Sequence, residues 1–117
     1  KKIEKINELI SNHEEQLANP LLEYINTRDD IRLIGKKKIE NKNRAPTISF
    51  TFNNKSSKNL SKELVNHGIA TRNDNFYAWR CLNALNIDPN DGVVRTSMVH
   101  YNTHEDVNKL ISALKKI

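Results

Sequence analysis

The chain has 117 residues, 37% hydrophobic and 28% charged, with a formal net charge of +5 at pH 7. That length suits one domain with one modest core, and the apolar residues are clustered rather than diluted, which argues against disorder. The single cysteine excludes an intrachain disulfide framework and points to a reducing compartment, the cytoplasm.

No run approaches the ~18 apolar residues of a membrane span. The basic start Lys1-Lys2 leads into an amphipathic segment with acidic residues, unlike a signal peptide. A first residue of Lys in place of Met points to something removed upstream.

Ile3, Ile6, Ile10, Leu17, Leu21 and Ile25 recur at helical spacing and predict a first helix ending between Asn26 and Asp30. Asn19-Pro20 interrupts the stripe and reads as an N-cap followed by proline in a first turn, so a kink or restart is expected there. Ile31 to Gly35 reads as a short strand. The next stretch carries Lys36, Lys37, Lys38, Lys42 and Arg44 against the single acid Glu40; a block of this kind is a solvated loop or a phosphate contact.

Pro46 opens a second strand, where Ile48, Phe50 and Phe52 alternate with Thr47, Ser49 and Thr51, one face apolar and one polar. Ser56 or Ser57 caps a helix with Leu60, Leu64 and Val65 on its apolar face and Gly68 as its stop. Ile69-Ala70-Thr71 reads as a short extended piece. Tyr77 to Leu85 reads as helical with Ala78, Cys81, Leu82 and Leu85 on one side, which makes Cys81 a buried small hydrophobe.

Asp88-Pro89-Asn90-Asp91-Gly92 is dense turn chemistry, and Val93 to Val99 is the last strand. Thr103 with Asp106 three residues on forms a short capping box for a final helix that buries Val107, Leu110, Ile111 and Leu114. The expected fold class is α+β, a small antiparallel sheet of three or four strands with helices on one face.

Gly92-Val93-Val94-Arg95-Thr96-Ser97, followed by His100-Tyr101-Asn102-Thr103 and an acidic helix start, resembles the C-terminal signature of class V aminotransferases and cysteine desulfurases. Other pieces agree in order: His13-Glu14 with Leu17 and Leu21-Leu22, Ile34-Gly35, Arg44 to Phe50, and Gly68 to Arg72. The resemblance covers nearly the whole chain and is nearest the cysteine desulfurase-like, selenocysteine lyase-like branch.

It implies the C-terminal small domain of a fold-type I enzyme across residues 1–117, with residues 1–30 as a helix leading in from a large domain. It also implies pyridoxal phosphate (PLP) on a large-domain lysine that follows a histidine, an amino-acid substrate, and a homodimer when full length. This sequence contains no His-Lys pair, so the fragment is expected to bind no cofactor and to be inactive alone.

By the same resemblance, Arg95 pairs with the substrate α-carboxylate, a role that suits a planar guanidinium. Arg72 lies beside the catalytic loop near the active-site mouth. In the relatives that pass sulfur on as a persulfide, a cysteine stands five residues after the arginine matching Arg72; Tyr77 occupies that position here. A phenol has neither the nucleophilicity nor the redox chemistry of a thiolate, which counts against persulfide transfer but does not exclude a lyase.

His13, His67, His100 and His104 show no metal spacing. The alternative function is a stand-alone basic α+β module for nucleic acid or a small-molecule ligand. Base-stacking platforms display aromatic residues on the open face of a sheet, whereas Phe50 and Phe52 share the phase of Ile48 and belong to the core.

Overall fold

The computed structural model describes residues 1–40 and 42–117. Its elements run α1 (Lys2–Asn26), β1 (Ile31–Ile34), β2 (Thr47–Phe52), α2 (Ser57–Asn66), β3 (Arg72–Asp74), α3 (Trp79–Ala84), β4 (Val93–Ser97) and α4 (His104–Lys116). The strands form one four-stranded antiparallel sheet in the order β1-β2-β4-β3, so the last strand inserts between β2 and β3. The α+β class follows as expected.

Alternation decides the two faces of that sheet. Register sets Ile31 opposite Phe52, Phe50 opposite Val94 and Ile48 opposite Thr96. These side chains meet Leu17, Leu21, Leu22 and Ile25 of α1, Leu60 and Leu64 of α2, and Val107, Leu110 and Leu114 of α4 in the main core. The other face carries Arg32, Ser49, Thr51, Arg95 and Arg72. Among the described residues, a satellite cluster of Leu82, Ile87 and Val93 covers part of this face, and Ile34 and Phe76 pack against it.

The helix ends follow their local chemistry. The Ser56 hydroxyl accepts from the Asn59 N–H at 3.2 Å, and Thr103 and Asp106 complete a reciprocal capping box. Gly68, at φ +71°, ends α2, with its own N–H donating to Val65 and the Ile69 N–H to Leu64.

The turn before β4 is tied to the same helix. The Asp91 carboxylate accepts from the Ser57 N–H at 2.9 Å, and the Ser57 hydroxyl donates to the Gly92 carbonyl at 3.2 Å. An acid at a helix N-terminus is electrostatically favoured. It fixes where β4 begins, and so where Arg95 lies.

Several expectations need correction. Helix α1 runs unbroken through Pro20, and the Asn19 side chain is not a cap. Its amide oxygen accepts from the Ile39 N–H at 2.8 Å while its amide nitrogen donates to the Ile39 carbonyl at 3.1 Å, clamping the basic loop onto the helix. Ile3, Ile6 and Leu9 are 74%, 54% and 65% exposed, because no described residue packs over them on the first turns of α1.

Val65 is exposed too, and α2 buries Ser57 and Ser61 instead. The third strand starts at Arg72, after the 69–71 segment: the Thr71 hydroxyl is bound to Ser61 of α2, and Arg72 is the first residue to pair with β4. The last strand stops at Ser97 because the Val99 N–H donates to the Asn102 side chain at 2.8 Å. Cys81 is exposed, not buried: α3 has only six residues and a single buried position, Leu82.

Candidate functional site

Arg95 sits in the middle of β4, and alternation sends it to the face opposite the main core, between Ser49 on β2 and Arg72 on β3. Its guanidinium carbon lies 3.9 Å from the centroid of the Phe76 ring. This is a close cation–π contact, which restrains the guanidinium without using its N–H donors. Among the described residues, no carboxylate forms an ion pair with Arg95 or Arg72. The two sequence-predicted site residues are therefore brought together as direct cross-strand partners.

A cavity of about 210 Å³ opens beside them, lined by Ala70, Thr71, Arg72, Arg95 and Ser97. Its chemistry is two guanidiniums with small and hydroxyl-bearing neighbours, which suits an anion. It contains no lysine to form a Schiff base and no carboxylate to partner a pyridinium nitrogen. These residues do not make a site for PLP itself.

Arg28 shows what a structural arginine looks like in this chain. It donates to both Asp30 oxygens at 2.7 and 2.6 Å, to the Tyr24 hydroxyl at 2.6 Å and to the Leu114 carbonyl at 3.1 Å. The hydrogen bonds to Asp30 raise its pKa above the usual arginine value and hold the Asp30 carboxyl below its ordinary range. Each of that guanidinium's three nitrogens donates. Among the described residues, Arg95 has no such partners.

The loop from β3 to α3 carries Phe76 and Tyr77 at φ +50° and +60°, a left-handed conformation that side-chain-bearing residues adopt at a cost. Asn75 holds the loop there. Its side-chain oxygen accepts from the Tyr77 N–H at 2.9 Å, and its amide donates to the Pro89 carbonyl at 3.3 Å. Tyr77 is fully exposed, and Trp79 is 48% exposed nearby in sequence.

The contact of Phe76 with Arg95 leaves no signal in the sequence. No local periodicity signals a contact between a loop and a strand. The histidines make local contacts: His100 is exposed against Tyr101, and His13 bonds the Asn102 carbonyl at 2.9 Å. Of the basic block, Arg44 turns inward to donate to the Lys36 and Thr47 carbonyls, and burial lowers its pKa. Among the described residues, no helix is long and apolar enough to cross a membrane.

A family-wide sequence profile described as "Aminotransferase class-V" matches residues 3–110. An aminotransferase-like protein, FGM3, of Gibberella zeae is 36% identical over 110 residues, which is 92% of this chain and 27% of that protein. A cysteine desulfurase of Escherichia coli O8 is 28% identical over 92% of this chain and 25% of its own length. Among solved structures, the apo cysteine desulfurase of Thermococcus onnurineus NA1 superposes with a TM-score of 0.82 at 24% identity, covering 98% of this chain and 28% of that one.

The chain thus spans about a quarter of the length of the relatives it matches. A match across nearly the whole sequence, on a fold these enzymes share, shows that the chain belongs to the class V aminotransferase family, within which its relatives include cysteine desulfurases.

Proposed function

We propose that this chain is the C-terminal small lobe of a PLP-dependent, cysteine desulfurase-like enzyme, and that it supplies Arg95 to bind the α-carboxylate of an amino-acid substrate. Arg72 lies beside it as the second cation at the mouth. The cofactor would be held by a large domain of the same chain, where it acts as electron sink for chemistry at Cα. Residues 1–30 would lead in from that domain, and the full-length enzyme would be a homodimer.

The observation that carries this reading is the state of Arg95: on the open sheet face, in a cavity with Arg72, held by a ring and bound by no carboxylate. A guanidinium in that state can take a carboxylate through two parallel hydrogen bonds, which orients the amino acid for reaction. The reaction is a lyase step or a transamination on a small amino acid. Tyr77 at the position where some relatives carry a thiol speaks against persulfide transfer.

The test uses the full-length protein loaded with PLP. Arg95→Gln should lower kcat/KM for L-amino-acid substrates by about 30-fold or more, the equivalent of losing a charge-assisted pair, while cofactor absorbance is retained. Unchanged kinetics would remove Arg95 from the site.

A further inference from the structure

We infer that Phe76 is a positioning residue for Arg95: its ring fixes the plane in which the guanidinium meets a carboxylate, and so sets the enzyme's preference for carboxylate-bearing substrates. This rests on the carboxylate role proposed for Arg95. The observation behind it is the 3.9 Å stacking distance, together with the way the loop is built to deliver that ring.

Phe76 does not reach Arg95 by chance of a flexible loop. It stands in left-handed backbone at φ +50°, a strained state for a residue with a side chain. Asn75 holds it there by bonding the Tyr77 N–H and the Pro89 carbonyl, and the ring packs against the Leu82, Ile87 and Val93 cluster. The ring is thus anchored from two sides.

Arg72 faces Arg95 directly across the ladder, and like charges there repel. Without a partner, the Arg95 side chain would swing away and lose its bidentate geometry. A stacked ring opposes that swing and occupies none of the N–H donors. A carboxylate partner would hold the arginine equally well but would neutralise it.

The test measures binding of L-alanine, and of ethylamine as the same skeleton without its carboxylate, to the full-length protein by calorimetry. Phe76→Leu keeps apolar bulk and the same backbone cost but removes the ring; it should weaken L-alanine about fivefold and leave ethylamine unchanged. Phe76→Tyr should restore wild-type affinity, a rescue that a merely structural role would not require to depend on aromaticity.

If Phe76→Leu binds L-alanine as wild type does while Arg95→Gln weakens it, the positioning role is overturned and the carboxylate role of Arg95 survives. If Arg95→Gln has no effect either, both fall. Should Phe76→Leu fail to fold, the wild-type protein alone decides: ring current should move the Arg95 side-chain Nε–H signal upfield of its unstructured position. An unshifted signal overturns the inference.

Discussion

Arg72 and Arg95 oppose each other directly across the β3–β4 ladder, two arginines in one cross-strand pair with no acid between them among the described residues. Directly opposed like charges destabilise a sheet, so this pair runs against stability. Arg72→Gln should therefore raise unfolding free energy by about 0.5 kcal/mol in urea titration. The gain should shrink in ~1 M salt, where the Debye length falls to about 3 Å. Binding of amino-acid carboxylates by the full-length protein should weaken in the same variant. A stability loss instead would mean that the pair is not repulsive.

Gly92 stands where β4 leaves its turn, at φ +70°, pressed against the backbone of β3. A Cβ there would lie 2.3 Å from both the carbonyl carbon and oxygen of Asp74. Backbone cannot step aside as a flexible side chain can, and the left-handed conformation adds its own cost. Gly92→Ala should destabilise the lobe by about 3 kcal/mol, read as a lowered midpoint in thermal unfolding. A midpoint within a degree or two of wild type would contradict the close approach.

Arg28 and Asp30 give the fold a dependence on acid. The hydrogen bonds from Arg28 hold the folded-state pKa of Asp30 below its unfolded value, near 3.9. A depressed carboxyl pKa stabilises the fold above the unfolded value, and that contribution is lost as pH falls through the folded one. Asp30→Asn should therefore lower stability at pH 7 and flatten the decline below about pH 4. Parallel stability profiles for variant and wild type across that window would refute the linkage.

The Asn19 clamp predicts a local opening. Both its hydrogen bonds go to Ile39, whose side chain is 3% exposed. Asn19→Ala leaves a backbone donor and acceptor unpaired and should cost about 1–2 kcal/mol. Trypsin should then cut at Lys36 to Lys38 faster than in wild type, because the loop is released before the domain unfolds. An unchanged cleavage rate would show that Ile39 packing alone holds the loop.

Much of the fold was legible because its signals are local. Ile48, Phe50 and Phe52 alternate over a single strand, Thr103 and Asp106 cap within one turn, and Gly68 supplies the positive φ that ends α2. The misreadings came where a distant partner decides. Asn19-Pro20 looks like a helix start until Ile39 takes the Asn19 amide, and Cys81 looks apolar-faced until α3 proves too short to bury it.

The site divides the same way. Arg95 and Arg72 were singled out through motif resemblance, but their direct pairing depends on β4 inserting beside β3, a long-range register that spacing does not encode. The stacking of Phe76 depends on two left-handed residues held by Asn75, a conformation that neither propensity nor periodicity announces.

The carboxylate role of Arg95 is tested most directly by the dissociation constant of L-alanine for the full-length protein, comparing Arg95→Ala with Arg32→Ala, an arginine on the same sheet face but on β1. Loss of about 30-fold or more in affinity for the Arg95 variant alone is the expected result. Equal affinities in the two variants would contradict it.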